Sequence, residues 1–133
     1  MKDSDNKPPH ILLVEDEVLV RMFAVDALED AGATVEQAGT GAEGLAMLRA
    51  HVAGFAGAIV DLGLPDRPGD EIAAAIRALR SDLPILIASG RSERELQQRF
   101  ASDPRIAFLV KPYTASMLVS ELRQLGLQLR DTV

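Results

Sequence analysis

Acidic side chains follow two apolar runs of this chain, and a lysine follows a third. Glu15 and Asp16 come directly after the first run, and Asp61 closes the second. Lys111 comes directly after the third run. Carboxylate oxygens without Cys or His are ligands that Mg²⁺ or Mn²⁺ accepts more readily than zinc does, and lysine is a common partner of phosphate. If these side chains meet in space, they predict a site for a hard divalent cation and a phosphate group.

A hydroxyl group extends the chemistry of this predicted site. Ser89 ends a further apolar run and would lie beside the acids if its strand is parallel to theirs. Three carboxylates at one place repel each other, so at least one would take up a proton unless a cation neutralises them. An aspartate is a competent nucleophile toward phosphorus, and phosphoryl transfer requires mainly positioning and charge neutralisation. The residue set therefore predicts that Asp61 accepts a phosphoryl group.

The bulk composition restricts the classes of protein to which the chain can belong. Its 133 residues suffice for one domain, and because only 4% are aromatic, aliphatic residues must build the core. The lack of cysteine excludes disulfides and thiolate metal sites. A net charge of −6 argues against direct nucleic-acid binding, and no apolar run nears the ~18 residues of a membrane span. The polar residues 1–9 are predicted to be a disordered tail, and we expect a cytoplasmic protein.

Apolar patterns along the chain alternate between strands and helices. Strands are predicted at 10–14, 34–38, 58–61, 84–89 and 106–110, and helices at 17–31, 42–52, 69–80, 92–102 and 114–125. This alternation predicts an α/β fold, a flavodoxin-like, doubly wound parallel sheet of five strands with five helices. The second strand is half polar, which suits an edge and favours the order 2-1-3-4-5. In that order the ends of the first and third strands are neighbours.

The helical patterns also predict which residues face the core. In the first helix, Val18, Met22 and Val25 are spaced at i, i+4 and i+7, and Gly32 is expected to end the helix. The helix predicted at 92–102 is mostly polar, with few apolar anchors. A weakly anchored helix costs little free energy to move.

Four short motifs stand in order at the predicted strand ends. They are L-V-E-D-E at 13–17, V-D-L-G-L-P at 60–65, A-S-G at 88–90 and V-K-P-Y at 110–113. In these motifs the chain resembles the receiver domain of bacterial two-component response regulators, over residues 10–127, with a tail at 128–133. The resemblance implies a phosphoryl donor, a phosphohistidine on a sensor histidine kinase or on a histidine phosphotransfer protein. It also implies that the protein is no enzyme except toward its own phosphorylation and dephosphorylation.

The resemblance assigns roles to the acidic cluster. Asp61 would be the phosphoacceptor and a ligand of Mg²⁺ or Mn²⁺. Asp16 would bind the ion directly, and Glu15 would help through water. The backbone carbonyl of Gly63 would be a further ligand of the metal.

The resemblance also implies how phosphorylation is sensed. Ser89 and Lys111 would contact the phosphoryl oxygens, and Ser89 with Phe108 would form the switch. Because Phe108 has no hydroxyl, its part in the switch would depend on burial alone. Gly63 and Arg91 occupy positions that tune dephosphorylation in the family.

The output surface is expected on the helix at 92–102, the strand at 106–110 and the helix at 114–125. The downstream target would be a protein that the sequence does not identify, and the last helix could form a phosphorylation-dependent homodimer. The chain would be a stand-alone regulator or the receiver module of a hybrid kinase.

Two other functions remain open from the residues alone. Gly39, Gly41 and Gly44 form a G-x-G-x-x-G pattern between a strand and a helix, with Asp61 ~20 residues further on, as a dinucleotide-binding fingerprint requires. The strand before these glycines is half polar, whereas that motif normally follows a buried central strand. The other alternative is a receiver-like scaffold that docks partners without being phosphorylated.

Overall fold

The computed structural model describes residues 7–90 and 94–130. Its strands are β1 (His10–Val14), β2 (Thr34–Ala38), β3 (Gly57–Asp61), β4 (Ile85–Ser89) and β5 (Ile106–Val110). Its helices are α1 (Val18–Asp30), α2 (Gly41–Ala50), α3 (Gly69–Leu79), α4 (Arg94–Arg99) and α5 (Ala115–Gln124). The strands form one parallel sheet in the order β2-β1-β3-β4-β5, which confirms the predicted fold and strand order.

Helices cover both faces of the sheet, so the central strands are buried on both sides. Every residue of β3 and β4 is buried, whereas the half-polar β2 lies at an edge, as predicted. One core lies between the sheet and the α1–α5 pair, and the other between the sheet and the α2–α3 pair. The buried helix residues are, on the first side, Ala24, Ala27, Leu28, Leu118, Val119 and Leu122, and on the second, Leu45, Leu48, Ile72, Ala73 and Ile76.

The predicted core face of α1 is wrong. Val18 and Met22 are each 56% exposed, and Val25 is only partly buried. The residues that face the core are instead the alanines and the leucine at 24, 27 and 28. Small side chains let a helix approach its neighbours closely, and here four larger apolar residues of α1, Val18, Leu19, Met22 and Phe23, are left exposed. Gly32 has φ 98° and directly follows Ala31, the C-cap of the helix, as expected of a glycine that ends it.

Two predicted helices differ at their ends. Helix α2 stops at Ala50, and Val52 belongs to a short 3-10 turn, Val52–Gly54. Helix α4 is described from Arg94 and ends at Arg99, so it is shorter than the predicted stretch to 102, while the start of that stretch lies outside the described residues. Phe100 follows α4 directly and packs against the second core.

The chain remains packed beyond residue 127. Leu129, within the stretch predicted to be a tail, is buried in the α1–α5 core. The backbone N–H of Arg130 donates to the carbonyl of Ala31 at 2.8 Å, and its guanidinium donates to the carbonyl of Asp30 at 2.9 Å. Packing therefore extends to Arg130. None of the helices described is long and apolar enough to cross a bilayer.

Candidate functional site

Strand register brings the predicted chemistry to one edge of the sheet. Val14 pairs with Val60 across β1 and β3, and Asp61 pairs with Ala88 across β3 and β4. The residues that follow these strands therefore lie at the same level. Carboxylate oxygens of Glu15, Asp16 and Asp61 all lie within 4.8 Å of one another. An open cavity of about 610 Å³ lies at this edge. It is lined by Asp16, Glu17, Asp61, Leu62, Gly63, Ser89, Gly90 and Lys111.

Lys111 connects the acids. Its Nζ lies 2.9 Å from Glu15 Oε1 and 2.9 Å from Asp61 Oδ1, and 3.3 Å from Oε1 of Glu17 at the rim. Burial alone would lower the pKa of Lys111, but its hydrogen bonds to Asp61 and Glu15 raise that pKa above its ordinary value. Lys111 therefore stays protonated. The Lys111–Pro112 peptide bond is cis.

Glu15 is the most deeply buried acid of the cluster. Only 2% of its surface is exposed, and it lies outside the lining of the cavity. Its pKa is raised, first by burial and also by the charge of Asp61. The backbone N–H of Glu17, 3.0 Å from Glu15 Oε2, and the Lys111 ammonium oppose this rise. Two partners thus stabilise the ionised form of Glu15 without cancelling the effect of its burial.

The acid cluster fits a hard divalent cation. Three carboxylates face a single ammonium group, so the cluster keeps net negative charge, and its donors are the oxygens that Mg²⁺ prefers. Asp16 and Asp61 line the cavity and could hold such an ion directly. Gly63, for which a role as a carbonyl ligand remains a prediction, lines the cavity too. Glu15 lies beneath them.

The segment from the end of β3 to the start of α3 contains two residues whose importance was not predicted from the sequence. A Cβ on Gly69 would lie 2.5 Å from the carbonyl oxygen of Asp61 and 2.6 Å from Cα of Leu62, so only glycine allows α3 to start so close to the site. The Gly69 N–H donates to the carbonyl of Leu62 at 2.9 Å. The sequence signal was a Pro-Gly pair at a helix start. The second residue, Asp66, accepts hydrogen bonds from two backbone N–H groups at the start of α2.

The glycine pattern has a structural explanation. The backbone N–H groups of Gly41 and Ala42 donate to the Asp66 carboxylate at 2.9 and 3.0 Å, so a nucleotide phosphate would have to displace it. A Cβ on Gly41 would lie 2.4 Å from Cδ1 of Ile72, in α3. A Cβ at position 44 would similarly lie 2.6 Å from Cγ2 of the valine that ends β1. These glycines permit close packing, and nothing in the described residues favours the nucleotide-binding alternative.

The residues predicted to switch lie around β4 and β5. Ser89 is buried and lines the cavity. Phe108 is half-buried, with its ring centroid 6.4 Å from that of Phe100 and the planes tilted by 42°. The strands β4 and β5 pair in parallel, so the cavity and the Phe108 environment share one part of the sheet. Arg91 lies outside the described residues.

Metal binding should stabilise the protein more at higher pH. Because the folded-state pKa of Glu15 is raised, its contribution to stability is fully present below its unfolded pKa of 4.5 and is lost as pH rises through the folded value. A cation bound to the acid cluster offsets that loss, and it competes with protons for the carboxylates. We expect a larger rise in melting temperature on Mg²⁺ addition at about pH 8 than at about pH 5. Free Mg²⁺ at about a hundredfold excess over its Kd should add about 2.7 kcal/mol to the free energy of unfolding. The same scans on Glu15→Gln are the control, since that variant should show a smaller pH difference.

Comparisons with known proteins agree with this geometry. The family model described as the response regulator receiver domain matches residues 11–123. The chain is 30% identical over 116 residues to the sensor kinase CckA of Brucella abortus, a match that covers 86% of this chain and 12% of that kinase. It is 33% identical over 113 residues to the transcriptional regulatory protein PdtaR of Mycobacterium tuberculosis, covering 84% of this chain and 54% of that protein. The chain therefore spans about half or less of the length of these two relatives.

Solved structures share the whole fold. The chemotaxis protein CheY4 of Vibrio cholerae superposes with a TM-score of 0.80 and 29% identity, covering 89% of this chain and 98% of that one. A response regulator receiver protein from Sinorhizobium medicae superposes with a TM-score of 0.78 and 30% identity, covering 90% and 94%. The family match over most of the chain, together with these superpositions and the shared sheet order, shows that this chain belongs to the family of response regulator receiver domains.

Proposed function

We propose that the protein is a phosphoacceptor that takes a phosphoryl group from a phosphohistidine onto Asp61. The observation that carries this proposal is the position of Asp61 at the cavity, held 2.9 Å from the Lys111 ammonium and next to two further carboxylates. The similarity to a sensor kinase and to transcriptional regulators agrees with such a donor. Both a stand-alone regulator and the receiver module of a hybrid kinase are consistent with it. A cytoplasmic location remains a prediction.

The chemistry requires few protein groups. A carboxylate oxygen of Asp61 attacks phosphorus, the bond from phosphorus to the donor nitrogen breaks, and the released imidazole keeps the electron pair and takes up a proton. Lys111 and the Ser89 hydroxyl contact the phosphoryl oxygens. Asp16, Asp61 and the Gly63 carbonyl would hold a Mg²⁺ ion, which would supply neutralising charge for this transfer. The protein is not an enzyme toward other substrates and catalyses only its own phosphorylation and dephosphorylation.

A small-molecule donor tests this proposal directly. Incubation with acetyl phosphate and Mg²⁺ should add the mass of one phosphoryl group, and peptide mapping should locate it on Asp61. Omission of Mg²⁺ should suppress the reaction. A chain that stays unmodified under these conditions would instead be the docking scaffold without phosphorylation.

The proposed switch connects the cavity to the output surface formed by α4, β5 and α5. A phosphoryl group adds about two negative charges, toward which Ser89 moves while Phe108 turns into the space vacated. The described part of helix α4 has six residues, and the side chains described there are exposed, so it is expected to move at low cost. Apolar side chains at Val110 and Met117 are partly exposed on this surface. They suit a protein target or a second phosphorylated copy.

An apolar surface on α1 suits the protein that donates the phosphoryl group. Its exposed residues are Val18, Leu19, Met22 and Phe23. A groove of about 550 Å³ beside it includes Leu19 and Tyr113 and shares Glu17 and Lys111 with the cavity of Asp61. Exposed apolar patches of this kind are typical of protein interaction sites. A donor seated on this surface would hold its phosphohistidine next to Asp61.

Replacement of Leu19 by serine should slow phosphotransfer from a protein donor. Leu19 is 81% exposed, so the change removes apolar contact area without disturbing the core. We expect about a tenfold fall in the transfer rate, which corresponds to ~1.4 kcal/mol of lost docking energy. Phosphorylation by acetyl phosphate should be unchanged. Met117→Ser, an equivalent change on the output surface, is the control, and equal effects of the two changes on transfer would contradict donor docking on α1.

A further inference from the structure

We propose that Asp66 is a positioning residue for the phosphorylation site, which ties the loop after β3 to the amino end of α2. This inference rests on the proposed function, because the loop contains the Gly63 carbonyl expected to bind the metal. Asp66 does not line the cavity, and the hydrogen bonds described for its side chain go to Gly41 and Ala42 of α2. Its effect would be on the shape of the loop that forms one wall of that cavity.

The tether consists of two hydrogen bonds between segments far apart in the chain. Asp66 Oδ1 accepts from the N–H of Gly41 at 2.9 Å, and Asp66 Oδ2 accepts from the N–H of Ala42 at 3.0 Å. Both donors are among the first N–H groups of α2, which lack partners within the helix. The helix dipole also favours a negative charge there. These bonds hold the pKa of Asp66 below its usual range, so the carboxylate is ionised at neutral pH.

The loop is anchored at its two ends by backbone bonds, and Asp66 anchors its middle. The N–H of Leu62 donates to the carbonyl of Ala88 at 2.8 Å, and the carbonyl of Leu62 accepts from Gly69 at 2.9 Å. Between them, Leu64 is buried in the second core. Leu64 restrains the start of the exposed segment that follows Gly63, and Asp66 ties that segment to α2. Gly63 has no side chain of its own with which to resist displacement.

The glycine at the start of α2 makes these two hydrogen bonds possible. Any side chain at Gly41 would meet Ile72 of α3, so glycine allows the amino end of α2 to lie against α3. In that position its amides reach Asp66. The pattern that resembled a phosphate-binding loop is thus used within the protein, with the Asp66 carboxylate in place of a phosphate.

Removal of Asp66 should weaken metal binding. Groups that orient the ligands of a metal typically contribute 10- to 100-fold to its affinity. For Asp66→Ala we expect about a tenfold rise in the Mg²⁺ dissociation constant, measured by calorimetry on the unphosphorylated protein. The Mg²⁺ concentration at half-maximal phosphorylation by acetyl phosphate should rise in parallel, while the rate at saturating Mg²⁺ changes less. Asp66→Asn, which keeps one carbonyl oxygen for one amide, should fall between wild type and Asp66→Ala.

The control is Thr40→Ala. The Thr40 hydroxyl accepts from the N–H of Glu43 at 3.1 Å, so this variant loses a cap at the same helix end without a contact to the loop. If Asp66→Ala leaves the dissociation constant unchanged, or if Thr40→Ala raises it equally, Asp66 has only a structural role and the inference fails. A wild-type protein that binds Mg²⁺ but stays unphosphorylated would contradict the proposed function instead. The calorimetric comparison would still decide the role of Asp66 in that case.

Discussion

Replacement of Asp61 by asparagine is expected to abolish phosphorylation by acetyl phosphate. A carboxamide has no anionic oxygen with which to attack phosphorus, and the other acids of the cluster are held differently. Glu15 is buried beneath the cavity, and Asp16 belongs to the loop after β1. Intact-mass measurement after treatment with acetyl phosphate and Mg²⁺ should show no added phosphoryl group.

The folded structure should survive this change. Asparagine keeps a side-chain oxygen for the Lys111 ammonium, 2.9 Å from Asp61 Oδ1 in the wild type. It also removes one negative charge that raises the pKa of Glu15. We therefore expect the free energy of unfolding without Mg²⁺ to stay equal or to rise. This separates a chemical defect from a folding defect.

Two further variants make the result for Asp61→Asn specific. Asp16→Asn should slow phosphorylation and raise its Mg²⁺ requirement without abolishing it, because Asp16 is proposed to hold the ion and not the phosphoryl group. Asp82→Asn, an exposed acid near the opposite edge of the sheet, should behave as wild type. Persistent incorporation of phosphate into Asp61→Asn would show that another residue is the acceptor and would overturn the assignment.

Replacement of Lys111 by methionine is expected to cause the largest loss of stability. The change keeps an apolar stem of similar length but leaves Glu15 and Asp61, which are 2% and 5% exposed, without their cation. Removal of one partner from a buried ion pair typically costs about 3–5 kcal/mol, because the remaining charge stays buried and uncompensated. Denaturant unfolding without Mg²⁺ should detect this loss, and acetyl phosphate should phosphorylate the variant about 100-fold more slowly.

The pH dependence of wild-type stability checks the same interaction. The folded-state pKa of Lys111 is raised, so its contribution to stability is present below its ordinary value of 10.5 and is lost as pH rises above that value. Lys111→Met should lack this loss at alkaline pH. Mg²⁺ should stabilise Lys111→Met more than wild type, because an added cation takes over part of the neutralisation.

Glu17→Gln is the matched control for Lys111→Met. Glu17 is the outer partner of Lys111, at 3.3 Å, and its side chain is 63% exposed. Loss of such a surface pair typically changes stability by no more than about 0.5 kcal/mol. If Lys111→Met is as stable as Glu17→Gln in the absence of Mg²⁺, the buried acids do not depend on the lysine and the description of the cluster is wrong.

Much of the fold followed from apolar patterning. Runs of buried strand residues, separated by helical patterns, restrict the topology to few choices, and the polar second strand indicated an edge. Once the strands are parallel, residues that follow them must lie at one edge, which is why Glu15, Asp61 and Lys111 could be grouped from the sequence. Element ends were less certain, as the early end of α2 at Ala50 illustrates.

The core face of α1 could not be chosen from hydrophobicity. Two stripes were available, one with the larger apolar side chains Val18 and Met22, and one with the alanines that the structure buries. Packing against the sheet and α5 decided in favour of the small residues, because close approach requires little volume at the contact. The stripe left outside became the apolar surface proposed for the donor.

The sequence alone thus determined the topology of the sheet and which residues form the acid cluster at its edge. The reason is that the alternation of strands with helices is visible in local, periodic patterns of apolar residues. Only the tertiary structure decided how deeply Glu15 is buried, that Lys111 bridges it to Asp61, and that the first N–H groups of α2 donate to the carboxylate of Asp66. Each of these depends on distances between segments far apart in sequence. Such distances follow from the packing of whole elements against one another, and no local pattern encodes them.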